Sequence, residues 1–524
     1  MFKKNIIEIL YFSLVFFIFT ILSINLVIYF DIDRHWTHIY DQEFTLAYNA
    51  LLFNSGILQE FLDHTGYFTI LFLSIVILIA NFFQFLDFYN ITGLLNYNDI
   101  DSPIQNLITI TRIYAGISVA VWCLAVNSIF YYLSKSKLFA FLLTLVIFSF
   151  PGTIFHTSQL RTELYSSLFM ILSLIMMISF FDIKHNKYLN TKIFLFFIFT
   201  YCAILNKSQF FLYFLGIFFL SLFFYSTITK IGFKFENYKR LKKNLFYTYL
   251  IIILYLIFKL SIFSGTYLSL LFIISNILII NFIFYYLAQK SKIEPLEFLI
   301  NFNIILIFSF IVLKIILFGH PSTNEMAFFN TIINIMDIAN YSIYSTSTNE
   351  SLSQIADYIN VLILHFEKVL FYYFKEINIY AILILLIALL SLVFKKKIGN
   401  KFFIFNFLCI VIPLLFSFIG SFKGIQIVYH IFWDFILLLP FCIFFKKINL
   451  KINYMIILIL VLISYNNYKE IINLKNDIIK EGDTKNIIKI CNELIKMPKN
   501  NYIEDFHKKI PAQKFIKFCL NIEK

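Results

Sequence analysis

Asp41-Gln42-Glu43 stands just before a helix-like pattern, Phe44–Phe53, in the polar stretch that follows the first long apolar run. A carboxylate there could act as general base on an acceptor hydroxyl, because a low-dielectric mouth raises its pKa. Residues two apart on a helix do not share a face, so both acids serve one site only where the backbone is extended or just entering the helix. The plainer alternative is that Asp41 caps that helix and Glu43 complements its dipole. A second cluster, Asp63-His64-Thr65-Gly66, could bind a phosphate or a divalent metal, or simply form a turn and helix start. A third, His156-Thr157-Ser158-Gln159-Leu160-Arg161-Thr162-Glu163, joins two apolar runs. Its arginine could snorkel, pair with Glu163, or hold a lipid phosphate with its planar fork. In the fourth, Asn206-Lys207-Ser208, a solitary lysine between two apolar runs either snorkels or meets a phosphate-bearing lipid. His320, Glu325, Lys259, Lys314 and His430 have no spacing that selects a role, and no Gly-rich phosphate loop, zinc spacing or nucleophile elbow occurs.

The elements that hold these clusters are set by composition. Of 524 residues, 60% are hydrophobic and 14% charged, with mean hydropathy +0.82. Soluble domains carry about 25% charge, so a soluble enzyme and a disordered scaffold are both excluded. The net charge of +13 is spread over short loops and a tail, which reads as membrane orientation and not as nucleic-acid binding. The six cysteines have no metal-ligand spacing. Apolar runs of about 20 residues predict an all-α polytopic membrane protein with about 13 transmembrane helices. The start, a basic flank followed by a core too long for a signal peptide, reads as an uncleaved first span with a cytoplasmic N-terminus.

One further run, Tyr67–Leu86, is long enough to cross. If it stays on one side, the lysine clusters at 3–4, 135–137, 184–192, 230–243, 290–292, 395–401 and 446–451 all face the cytoplasm. They then outnumber the cations of the opposite loops, as the positive-inside rule requires, whereas a crossing reverses the bias. The run is therefore expected to be re-entrant or interfacial. The resulting organisation is a first span at 1–30, an extracytoplasmic loop with interfacial helices at 31–109, and spans two to nine at 110–318. A second outer loop at 319–376, able to form a lid, precedes spans ten to thirteen at 377–466 and an outer helical tail at 467–524. Most acidic residues outside the tail then lie on the extracytoplasmic side.

Taken together, the acidic pair Asp41/Glu43 opening a helix with Tyr48 and Leu51-Leu52, the His64 turn before an apolar stretch, Arg112, Arg161-Thr162-Glu163 and Lys207 resemble the glycosyltransferase C superfamily. The likeness covers about residues 1–230. It is nearest the branch of protein O-mannosyltransferases, aminoarabinose transferases and lipopolysaccharide-core glycosyltransferases. The resemblance implies an enzyme of a bacterial inner membrane that moves a sugar from a polyprenyl-phosphate carrier to an extracytoplasmic lipid, glycan or protein acceptor, with inversion. It implies Asp41 as catalytic carboxylate, supported by Glu43, with His64, Arg161 and Lys207 stabilising the leaving phosphate. Asp63 and Glu163 would give support. No nucleotide is needed and no cofactor is fixed by the resemblance, while Glu43 and His64 could help bind a divalent metal. Gln42 separates acids that the family often has adjacent, and Thr65-Gly66 follow His64 where the family often has Pro-Pro. The rival expectations are an oligosaccharide-lipid transporter or flippase, and a polysaccharide polymerase or ligase.

Overall fold

A computed structural model describes residues 2–36, 43–57, 66–97, 101–181, 189–207, 295–318, 378–421 and 427–447, with scattered positions in 363–370 and 456–462. Every regular element among the described residues is a helix. An apolar backbone run in lipid has no water to bond, and a helix satisfies its N–H and C=O groups internally. The helices are α1 (Phe2–Tyr29), α2 (Glu43–Asn54), α3 (Tyr67–Phe82), α4 (Ile91–Leu94), α5 (Asp101–Ser134), α6 (Lys137–Phe148), α7 (Pro151–Ser158), α8 (Thr162–Phe181), α9 (Leu189–Asn206), α10 (Pro295–Phe318), α11 (Asn378–Val393) and α12 (Lys395–Ser421). A 3-10 turn, Ile427–Phe432, then leads into α13 (Asp434–Lys447). Four stretches are long and apolar enough to cross a bilayer: Ile6–Tyr29, Asp101–Ser134, Thr162–Ser179 and Tyr429–Lys446. A bent pair, α6 with α7, brings the number to five when it is counted as one broken span. This is the build of a helical membrane protein. The expected spans at 209–229, 244–263 and 266–288, most of the 319–376 loop and the 467–524 tail lie outside the described residues.

Helices α1 and α5 form an antiparallel pair whose two ends are pinned by polar contacts. At one end Tyr11 donates to Asn127 Oδ1 at 3.0 Å and to the Lys137 carbonyl at 2.8 Å. At the other, Trp36 Nε1 donates to Asp101 Oδ1 at 2.6 Å and His35 lies 3.3 Å from the same carboxylate. Between them Gly116 lets the helices touch, since a Cβ there would stand 2.9 Å from Val27 Cγ2. The outward face of α1 carries Ile9, Leu10, Leu14 and Phe17 exposed, a lipid-facing stripe.

Because residues 30–36 and Asp101 meet at the same end, the segment between them leaves and returns on one side of this pair. Within it, α3 has 16 residues, about 24 Å, and stops short of the Tyr67–Leu86 run read from sequence. A tight turn closes it: Phe85 N donates to Ala80 O at 2.8 Å, Asn81 Nδ2 to Leu86 O at 2.8 Å, and Gln84 takes a left-handed φ of 62°. Asn54 at the end of α2 then ties the Ser74 and Tyr89 carbonyls together, at 3.1 and 2.9 Å.

The run read as one span at 138–155 is broken. Helices α6 and α7 meet at 70°. Pro151 has no N–H to continue α6 and restricts Phe150 to extended backbone, here ψ 144°, so a new helix starts with proline in its first turn. The break turns α7 across the bundle and sets its face against the 3-10 turn. A Cβ on Gly152 would meet His430 Cβ at 2.9 Å and Ile431 N at 3.1 Å.

Candidate functional site

Two buried ionic clusters lie at the end of the bundle where α1 stops and α5 starts. The first is built on Glu43, which opens α2 with its carboxylate in the first turn, where a helix dipole favours an anion. Arg112, three turns into α5, reaches it with Nε at 3.1 Å, and Arg34 Nη2 approaches to 3.9 Å. Arg112 also donates to the carbonyls of Ile32 at 2.9 Å and Arg34 at 2.5 Å. Arg34 donates to Phe30 O at 3.1 Å and Ser158 O at 3.0 Å, so it joins this cluster to the end of α7. Burial pulls the Arg34 guanidinium down to about 10, with Glu43 opposing, and at neutral pH it stays charged. Glu43 and Arg112 are fully buried, yet Glu43 Oε1 and Arg112 Nη2 have no hydrogen-bond partner among the described residues. Glu43 is thus clamped by guanidiniums, which suits positioning better than proton abstraction. The same two cations make it a poor ligand for a divalent metal. Asp41 lies two residues upstream, outside the described residues.

The second cluster sits where α8 begins and α9 ends. Lys207 Nζ is 2.8 Å from Glu163 Oε1, and Arg161 Nε is 3.3 Å from Glu163 Oε2. Their side chains are 8%, 0% and 2% exposed in the order Lys207, Glu163, Arg161. Each charge matches its helix end: Glu163 lies in the first turn of α8, and Lys207 follows the last turn of α9. Burial pulls the Lys207 ammonium down, but Glu163 at contact and Tyr429 nearby together hold the group above its ordinary value. His156 and Tyr429 are near enough to act electrostatically on Glu163 and Lys207 respectively. Asn206 frames the cluster. Its amide donates to Thr162 O at 2.5 Å, its Oδ1 accepts from Thr69 N at 2.9 Å and Thr69 Oγ1 at 3.1 Å, and its carbonyl accepts from Gly66 N at 3.1 Å. The start of α3 is therefore anchored beside Lys207. Asp63 and His64, a few residues before Gly66, lie outside the described residues.

A third group closes the site from the far half of the chain. Tyr380 donates to Asp434 Oδ2 at 2.9 Å, and His430 Nδ1 is 3.3 Å from Asp434 Oδ1. The 3-10 turn carrying His430 is bonded to α8, where Ser167 Oγ donates to Ile431 O at 2.8 Å. Asp434 drew no attention in the sequence because it lies inside an apolar run. Its spacing of four from His430 was the available signal. Nothing local in the sequence pairs Arg112 or Arg34 with Glu43, because their shared partner lies on another helix.

Among the described residues no three or more His, Cys, Asp or Glu side chains converge as a metal site. Searches against protein-family models, curated proteins and solved structures gave no match.

Proposed function

We propose that the chain is a membrane glycosyltransferase that moves a sugar from a polyprenyl-phosphate carrier to an extracytoplasmic acceptor. The observation that carries this reading is the pairing of two buried cations, Arg161 and Lys207, with a single carboxylate, Glu163. A buried charge is expensive unless it is held by partners, and these partners fix two cationic heads rigidly at one end of the bundle. Cations held in this way suit the phosphate of a lipid whose tail remains in the bilayer.

In the proposed reaction the acceptor oxygen attacks the anomeric carbon and its proton passes to the Asp41 carboxylate. The bond from that carbon to the phosphate oxygen breaks, and the electron pair leaves with the phosphate. Arg161 and Lys207 meet the charge that develops there. Direct displacement inverts the anomeric centre and needs the base on the side of the sugar away from the phosphate. The meeting of His35 and Trp36 with Asp101 at one end of the α1/α5 pair supports a non-crossing α3 and, with it, a reaction side formed by 31–109. That side is extracytoplasmic if the N-terminus is cytoplasmic, as the lysine bias favours.

The test is Asp41→Asn in cells, read on the surface glycans. Loss of one sugar with the protein still present at its normal level is expected. Unchanged glycan at normal protein level rejects the transferase reading.

A further inference from the structure

We propose that Gln159 reads the sugar of the carrier-linked donor, an inference that rests on the transferase reading above. Gln159 follows α7 in extended backbone, φ −159° and ψ 148°. It is completely buried, and both its Nε2 and Oε1 lack a hydrogen-bond partner among the described residues. Buried polar groups are nearly always bonded, so an amide with neither end satisfied points to something that binds there.

Its place in the chain says what. The preceding carbonyl, Ser158 O, is held by Arg34, which also faces Glu43. Two residues later comes Arg161, paired with Glu163 and through it with Lys207. Along an extended segment, residues two apart share a side, so Gln159 shares one with Arg161 and, along the chain, lies between the carbonyl held by Arg34 and the cationic pair. That is where a sugar must lie if its phosphate rests on Arg161 and Lys207 and the base attacks from the Glu43 side.

The chemistry of the amide favours the same occupant. A phosphate offers only acceptors, and the Gln159 carbonyl would face it without a proton to share. A sugar hydroxyl both donates and accepts, so it satisfies the amide N–H and the carbonyl together. The ligand class at Gln159 is therefore a neutral polyol joined to the phosphate.

The test compares binding of bare polyprenyl phosphate with binding of its hexosyl, N-acetylhexosaminyl and pentosyl forms to the purified full chain in nanodiscs. Wild type is expected to bind at least one sugar-bearing carrier more tightly than the bare one. Gln159→Met, close in shape and without the amide, should lose that advantage by about tenfold and leave bare-carrier affinity unchanged. Its melting temperature without ligand should be equal to wild type or higher, because an unbonded amide has been removed. Lys207→Met should weaken every carrier. If Gln159→Met keeps the sugar preference, or weakens bare and glycosylated carriers equally, the assignment of Gln159 fails while the transferase reading stands on the Lys207 result. If wild type binds no carrier, both fall. Should Gln159→Met not fold, Gln159→Asn, which withdraws the amide by one methylene, is expected to diminish the preference, and full retention overturns the proposal.

Discussion

At the scale of single residues, Glu163 is the keystone of the charged cluster. Replacing it with glutamine removes the carboxylate that Arg161 and Lys207 share. Breaking a buried pair in this way typically costs about 3–5 kcal/mol. Glu163→Gln is therefore expected to lower the melting temperature in detergent sharply, and adding Lys207→Met should recover part of the loss by removing one stranded cation. The pH dependence of the Lys207 contribution follows from its raised value. A cation held above its free value of 10.5 stabilises fully below that pH and loses its contribution as pH climbs through the higher folded value. The stability gap between wild type and Lys207→Met should stay constant from about pH 7 to 10 and narrow only above the free-lysine value. A gap that closes near neutrality contradicts the pairing described. Arg161 and Lys207 were legible in the sequence because isolated cations between apolar runs need a reason. The clamp of Arg112 on Glu43 was not, since the two lie 69 residues apart and side chains on different helices leave no local spacing to read.

At the scale of elements, the contact between α7 and the 3-10 turn depends on a missing side chain. A methyl on Gly152 would press on His430 Cβ and on the backbone nitrogen of Ile431, and the backbone cannot step aside. Gly152→Ala is expected to cost about 1–3 kcal/mol by overpacking and to reduce the proposed transfer activity more than an alanine on the lipid-facing side of α1, such as Leu14→Ala. The helices themselves were visible as apolar runs, with boundaries off by several residues. The break between α6 and α7 was hidden, although Pro151 stood in view, because mean hydropathy does not register a missing N–H.

For the whole molecule, the pinned ends of α1 and α5 make a topological statement that labelling can check. In a cysteine-free background, cysteines at Asp33 and Asn96 should be modified by an impermeant thiol reagent from one side, and a cysteine at Lys135 from the other. Labelling of Asp33 and Asn96 positions from opposite sides would mean that α3 crosses after all. The sequence carried this parity through its lysine distribution, a signal spread over the entire chain. It said nothing of which loops meet, because closure of the site depends on contacts far apart in the chain.

The hydroxyl of Ser167 finds its acceptor, Ile431, 264 residues further along. During synthesis, then, α7 and α8 are made long before the turn that packs on them has left the ribosome. Until then the faces of α7 and α8 that meet the turn lack their partner, and any truncation before residue 427 leaves them so. Premature stop codons late in the gene should consequently yield products that membrane proteases clear as readily as early ones.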